Sequence, residues 1–180
     1  VDVPLSPEGV GQARAARDFL KKYKIKHVLS SPLDRAYTTA CICAQPHDLP
    51  VCQTRGLFPW RLGVFSGLPK AQNQDALRLF VKNPTVAPPT GESLEDFEVR
   101  QFQFWKAALE TARSTGLTLF DCHTSNVTAL VNFTEGAESV EPEFGDSVKP
   151  GGVAEILWDG KHYHVEAVFG DEEKAAFGGS

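Results

Sequence analysis

Ser30-Ser31-Pro32-Leu33-Asp34-Arg35-Ala36-Tyr37-Thr38-Thr39-Ala40 is the most informative stretch of this chain. The apolar run His27-Val28-Leu29 before it has the character of a short buried strand, and residues 32–44 read as a helix. Arg35 therefore stands in the first turn of a helix, where a strand ends. Backbone N–H groups are free at such a junction and cations are disfavoured there, so an arginine at this position asks for a phosphate or carboxylate. Residues 117–124 repeat the grammar: an apolar strand, then Asp121-Cys122-His123-Thr124, then a helical pattern over 125–132. Polar groups at the carboxyl ends of two strands are where an open α/β sheet gathers its chemistry.

Working outward, Ser6 and Pro7 form a helix start, with Ser6 as N-cap and Pro7 at the first helical position. Val10, Ala13, Ala16, Leu20 and Tyr23 carry an apolar stripe that predicts a helix to about Tyr23. Strands are expected over 25–30, 49–54 and 117–122, and helices over 75–82 and, capped by Ser93, to about Ser114. The Gly- and aromatic-rich segment 57–69 suits a loop packed over a site, and 84–91 is a second loop. Residues 153–158 and 162–168 flank Asp159-Gly160-Lys161 and predict a tight hairpin. The acidic stretch 135–146 reads as a solvated surface loop. The expected fold is α/β: a three-layer, mostly parallel sheet flanked by helices, with a C-terminal antiparallel hairpin. One domain is expected over 1–170, with a tail at 171–180.

The 180 residues, 42% hydrophobic and 23% charged, have the balance of a soluble globular chain. A net charge of −5 argues against nucleic acid or an anionic membrane as partner. No apolar run reaches the roughly 20 residues of a membrane span. The sequence sets no oligomeric state. The four cysteines form no CxxC pair and no zinc pattern, so reduced thiols in the cytoplasm are expected, with no metal or other cofactor. His162 and His164 share a strand face, a weak metal hint; a structural role is expected for both. With no methionine and Val1 first, the chain is expected to lack its natural beginning.

Taken in order, Pro4-Leu5-Ser6-Pro7-Glu8-Gly9, Gln12-Ala13, Ser30-Ser31-Pro32-Leu33-Asp34-Arg35-Ala36, Pro89-Thr90-Gly91-Glu92-Ser93 with Phe97 and Arg100, and Asp121-Cys122-His123 with Ala129-Leu130 resemble the histidine phosphatase superfamily, of phosphoglycerate-mutase-like fold. The resemblance covers nearly the whole chain and implies metal-independent hydrolysis of small phosphorylated metabolites through a phosphohistidine. Arg35 matches a phosphate-binding arginine and His123 the second pocket histidine. Glu92 matches the glutamate of the middle motif. With Ser30 and Thr124 it is expected to bind phosphate or order the pocket. The nucleophile of such proteins, the histidine of an Arg-His-Gly motif on the first, central strand, matches nothing here and is expected upstream of Val1. In relatives a glutamate lies four residues before the glycine matching Gly63; that place is taken by Pro59. The leaving-group proton is then left to water, Glu92 or Asp121. Two alternatives stand beside the hydrolase: an inert phosphatase-like binding module and, less favoured, a phosphomutase.

Overall fold

Ser6 opens the first helix by capping chemistry. Its hydroxyl accepts the Gly9 N–H at 3.1 Å, Pro7 follows at the first helical position, and α1 runs over Pro7–Leu20. The computed structural model describes residues 2–136 and 148–170. The acidic stretch from 137 onward to 147 and the tail 171–180 lie outside the described residues.

Three short parallel strands carry the fold: β1 (His27–Ser30), β2 (Val51–Gln53) and β3 (Thr118–Asp121), in the order β2-β1-β3. Parallel neighbours need crossovers. α2 (Asp34–Ala44) joins β1 to β2, while α3 (Lys70–Lys82) and α4 (Leu94–Thr115) lie between β2 and β3. α5 (Thr124–Glu135) leaves β3, and β4 (Val153–Trp158) pairs antiparallel with β5 (Tyr163–Phe169).

Side chains alternate across the sheet with the period of a strand. Val28, Leu119 and Val51 meet Ala16, Leu20, Ala40 and Cys43 of α1 and α2. Leu29 and Phe120 meet Trp105, Leu109 and Leu130 of α4 and α5. Helices thus cover both faces, which gives the three layers. The hairpin closes one side: Phe169 stacks on Phe19 at 4.8 Å, the Tyr23 hydroxyl donates to Glu155, and Val165 enters the α4/α5 core. It forms its own two-stranded sheet, and among the described residues the outer edge of β3 has no strand partner.

The boundaries differ from expectation where local hydrogen bonding overrides composition. α1 stops at Leu20 because the chain tightens there, the Tyr23 N–H turning to the Leu20 carbonyl at 3.0 Å. α2 starts at Asp34 because Leu33 is extended and its N–H donates to Ser31 Oγ at 3.3 Å. α3 begins at Lys70, directly after Pro69, well before the expected 75. α5 runs on to Glu135, where Gly136 adopts a left-handed conformation and ends it.

Candidate active site

The β1–α2 and β3–α5 junctions lie side by side because β1 and β3 are neighbours in register, Ser30 opposite Asp121. Ser31 links them twice. Its N–H donates to the Asp121 carbonyl at 2.9 Å, and its hydroxyl lies 2.8 Å from His123 Nε2. Arg35, in the first turn of α2, is half-buried and makes no side-chain hydrogen bond or ion pair with another described residue. Burial foremost, then the nearby Arg35 charge, pushes the His123 imidazole down to about 4, against a weaker upward pull from Asp2. At neutral pH the pair is therefore a cation beside a neutral imidazole. A dianion placed between them would accept from the guanidinium and favour protonation of the ring.

Both side chains line a cavity of about 870 Å³ at the carboxyl ends of the strands, together with Thr124 and Asp121. Burial pushes the Asp121 carboxyl up to about 8, so it carries its proton at pH 7. The opposite wall is the 58–67 loop with the start of α4.

Glu92 lies behind this wall, outside the cavity lining. Its carboxylate, 4% exposed, accepts from Arg100 Nε at 2.9 Å and Nη2 at 2.6 Å, from the Arg61 N–H at 3.1 Å and from Arg61 Nη2 at 3.3 Å. Arg100 also donates to the carbonyls of Phe58 and Pro59, at 3.0 and 2.9 Å. Burial raises the Glu92 carboxyl, but the bonds and charges of Arg100 and Arg61 outweigh it and hold the group below the usual range. One buried carboxylate thus fixes the backbone of the loop over the site.

Backbone contacts complete this clasp. The Val64 N–H donates to the Pro89 carbonyl at 3.1 Å and the Glu92 N–H to the Arg61 carbonyl at 2.9 Å. Glycine is required for so close an approach: Gly63 has φ +56°, and a Cβ there would fall 2.0 Å from the Pro89 oxygen. From the other side, buried Asn126 donates to the Phe58 carbonyl and to Gln101 Oε1, both at 3.1 Å, and its own Oδ1 accepts the His123 N–H at 2.9 Å. The loop and the histidine therefore share one hydrogen-bonded support.

Of the residues singled out in the sequence, Arg35, His123 and Thr124 come together on the cavity. Ser30 does not: it is fully buried, and its hydroxyl donates to the Ser31 carbonyl at 2.8 Å. Ser31 is equally buried and outside the cavity lining, but its hydroxyl is the one that meets His123, and a Ser-Ser pair at a strand end gives no sign of which one does so. The α2 N-terminus, expected to be open, is also engaged: the Asp34 N–H donates to both carboxylate oxygens of Asp2, at 2.9 and 3.1 Å. An anion is preferred there, and a carboxylate of this chain supplies it. Arg61, Asn126 and Asp2 carried no sequence signal, because their roles come from partners 31 or more residues away or from a backbone carbonyl. His164 pairs with Asp159 on the hairpin, at 2.9 Å.

Comparison with known proteins identifies the family. The profile of the histidine phosphatase superfamily (branch 1) matches residues 1–169. Fructose-2,6-bisphosphatase TIGAR of Xenopus tropicalis is 32% identical over 115 residues, 59% of this chain but 40% of that protein's own length. The 2,3-bisphosphoglycerate-dependent phosphoglycerate mutase 2 of Gloeobacter violaceus is 26% identical over 79% of this chain and 72% of its own. The α-ribazole phosphatase from Shigella flexneri has the same fold, with a TM-score of 0.80 over all of this chain and 89% of its own, at 22% identity. With a profile match from the first residue to the end of β5, this chain belongs to the histidine phosphatase superfamily.

Proposed function

We propose that the protein is a metal-independent phosphomonoester hydrolase of small phosphorylated metabolites, in which Arg35 and His123 hold the phosphoryl group. The observation that carries this is an arginine without a partner among the described residues, beside a neutral histidine on a shared cavity. Ser31 positions the imidazole, and Glu92 orders the wall that faces it. The nucleophile is the histidine of the family's Arg-His-Gly motif, which no histidine of these 180 residues matches. Its ring nitrogen attacks phosphorus; the N–P bond forms as the ester P–O bond breaks, and the departing oxygen takes a proton. Water then attacks phosphorus, the N–P bond breaks, and inorganic phosphate leaves. Arg35 and His123 stabilise the charge that spreads over the phosphoryl oxygens.

Of the two carboxyls considered as proton donor, Asp121 is the better supported. It lines the cavity and is protonated at neutral pH, whereas Glu92 is ionised and fully occupied by arginines. Four unpaired cysteines fit a reducing compartment, so the cytoplasm is the proposed location. Among the described residues, no helix is long and apolar enough to cross a membrane. The domain is proposed to span 1–170, followed by a tail.

The test is hydrolysis of p-nitrophenyl phosphate by the full-length protein and its Arg35→Ala and His123→Ala variants. Each is expected to lower kcat/KM by about 10²-fold or more. Wild-type turnover in both variants overturns the site. Phosphate binding that needs both residues, without any turnover, would instead mark an inert binding module.

A further inference from the structure

The wall that a leaving group would face differs in chemistry from the phosphate end. Phe58, Leu62, Leu94 and Phe97 give it an apolar, largely aromatic surface, and its charged members are Arg61 and Glu98. Arg61 is 59% exposed and gives Glu92 one guanidinium bond, at 3.3 Å; Arg100 holds the same carboxylate at 2.6 and 2.9 Å, so Arg61 meets the cavity as a cation whose counter-charge is shared. Glu98 lies on the same face of α4 as Leu94 and Gln101, four residues after one and three before the other, and is half-buried. Burial first, then neighbouring Glu95, raises its carboxyl, as befits a carboxylate with no cation paired to it among the described residues.

At the inner end, Arg35 and His123 are both committed to one dianion. Among the described residues, a second phosphate or carboxylate on the same substrate would settle on apolar surface, beside Glu98, and meet one cation there, Arg61, whose charge Glu92 already draws on. Desolvating an unmatched anion next to a like charge is strongly unfavourable.

Resting on the phosphatase reading above, we infer that the site selects monophosphate esters of uncharged, apolar or aromatic alcohols, and that Glu98 is a specificity residue excluding substrates with a second acidic group. Discrimination here is built on repulsion as much as on fit.

Two phosphonates that cannot be hydrolysed separate the possibilities: benzylphosphonate, with an apolar substituent, and 2-carboxyethylphosphonate, with a second acid. Affinities are measured by calorimetry on the full-length protein, with inorganic phosphate as a third ligand. Benzylphosphonate should bind about tenfold or more tighter than the carboxylate analogue. Glu98→Gln should narrow that ratio, and Glu98→Lys should close or reverse it. The ratio is read within each variant, and thermal unfolding checks that each is folded. Equal affinities in the wild type, or a ratio untouched by both variants, overturn the inference. If inorganic phosphate fails to bind, or binds regardless of Arg35→Ala, the phosphatase reading falls and this one with it. If phosphate binding needs Arg35 while the ratio is flat, only the selectivity fails.

Discussion

Glu92→Ala is the substitution from which the most can be learned. The carboxylate is buried at 4% exposure and receives four hydrogen bonds, two from Arg100 and two from Arg61. Removing one partner of a buried ion pair typically costs about 3–5 kcal/mol. The Arg100 side chain is 28% exposed and keeps its two carbonyl acceptors, so water relieves part of the loss. About 2–3 kcal/mol is the reasonable expectation. For a chain of this size that is a fall in Tm of about 4–12 °C.

The pH dependence gives the sharper test. Glu92 is held below its ordinary 4.5 in the folded protein, so it binds a proton less readily there than in the unfolded chain. Its contribution is fully present above about 4.5 and is lost as pH falls through the depressed folded value. Urea unfolding of wild type and variant at pH 7 and pH 3 should therefore show a gap that shrinks in acid. Phosphate affinity should fall in the variant as well, because the 58–61 backbone loses its anchor. A gap of the same size at both pH values, or one below about 0.5 kcal/mol at pH 7, refutes the clasp as described.

Three further outcomes follow from the same geometry. Sulfate, which stays dianionic, should bind more tightly as pH falls from 7 towards 5, because His123 begins neutral at about 4 and takes up a proton with the anion; calorimetry in two buffers of different ionisation enthalpy detects the uptake, and its absence, or its persistence in His123→Asn, counts against the assignment. Without anion the sign is simpler: a neutral imidazole stabilises the fold above about 6.5, and that contribution fades as pH drops towards 4. Gly63→Ala combines a positive φ with a Cβ 2.0 Å from a carbonyl oxygen, and should lower the urea midpoint by the equivalent of about 2 kcal/mol or more; an unchanged midpoint would show that the loop relaxes freely. Asp2→Ala removes the carboxylate from the α2 N-terminus and should lose about 1 kcal/mol of stability, while strengthening phosphate binding by freeing an anion-seeking helix end; weaker phosphate binding would mean that Asp2 supports the site.

Helices and strands were legible wherever their cause was local. Ser6-Pro7 and Ser93 cap as their residue types require, the apolar run at Val28 and Leu29 forms a strand covered on both faces, and Asp159-Gly160-Lys161 closes a hairpin. Element ends were less so: composition cannot reveal that Ser31 draws the Leu33 N–H and so delays α2, or that α3 begins directly after Pro69.

The division at the site has the same origin. Charge and position along the chain marked Arg35 and His123 as polar groups at strand ends, because one residue and its immediate neighbours suffice for that inference. Which serine meets the imidazole, which arginine is consumed by Glu92, and which carboxylate occupies the α2 N-terminus depend on contacts across 92, 8 and 32 residues of chain. Such contacts have no local signature, since a hydrogen bond is set by the position of both partners. Parallel pairing of β1 with β3 makes them neighbours, and packing of the 58–67 loop on α4 and α5 decides which side chains turn towards the cavity.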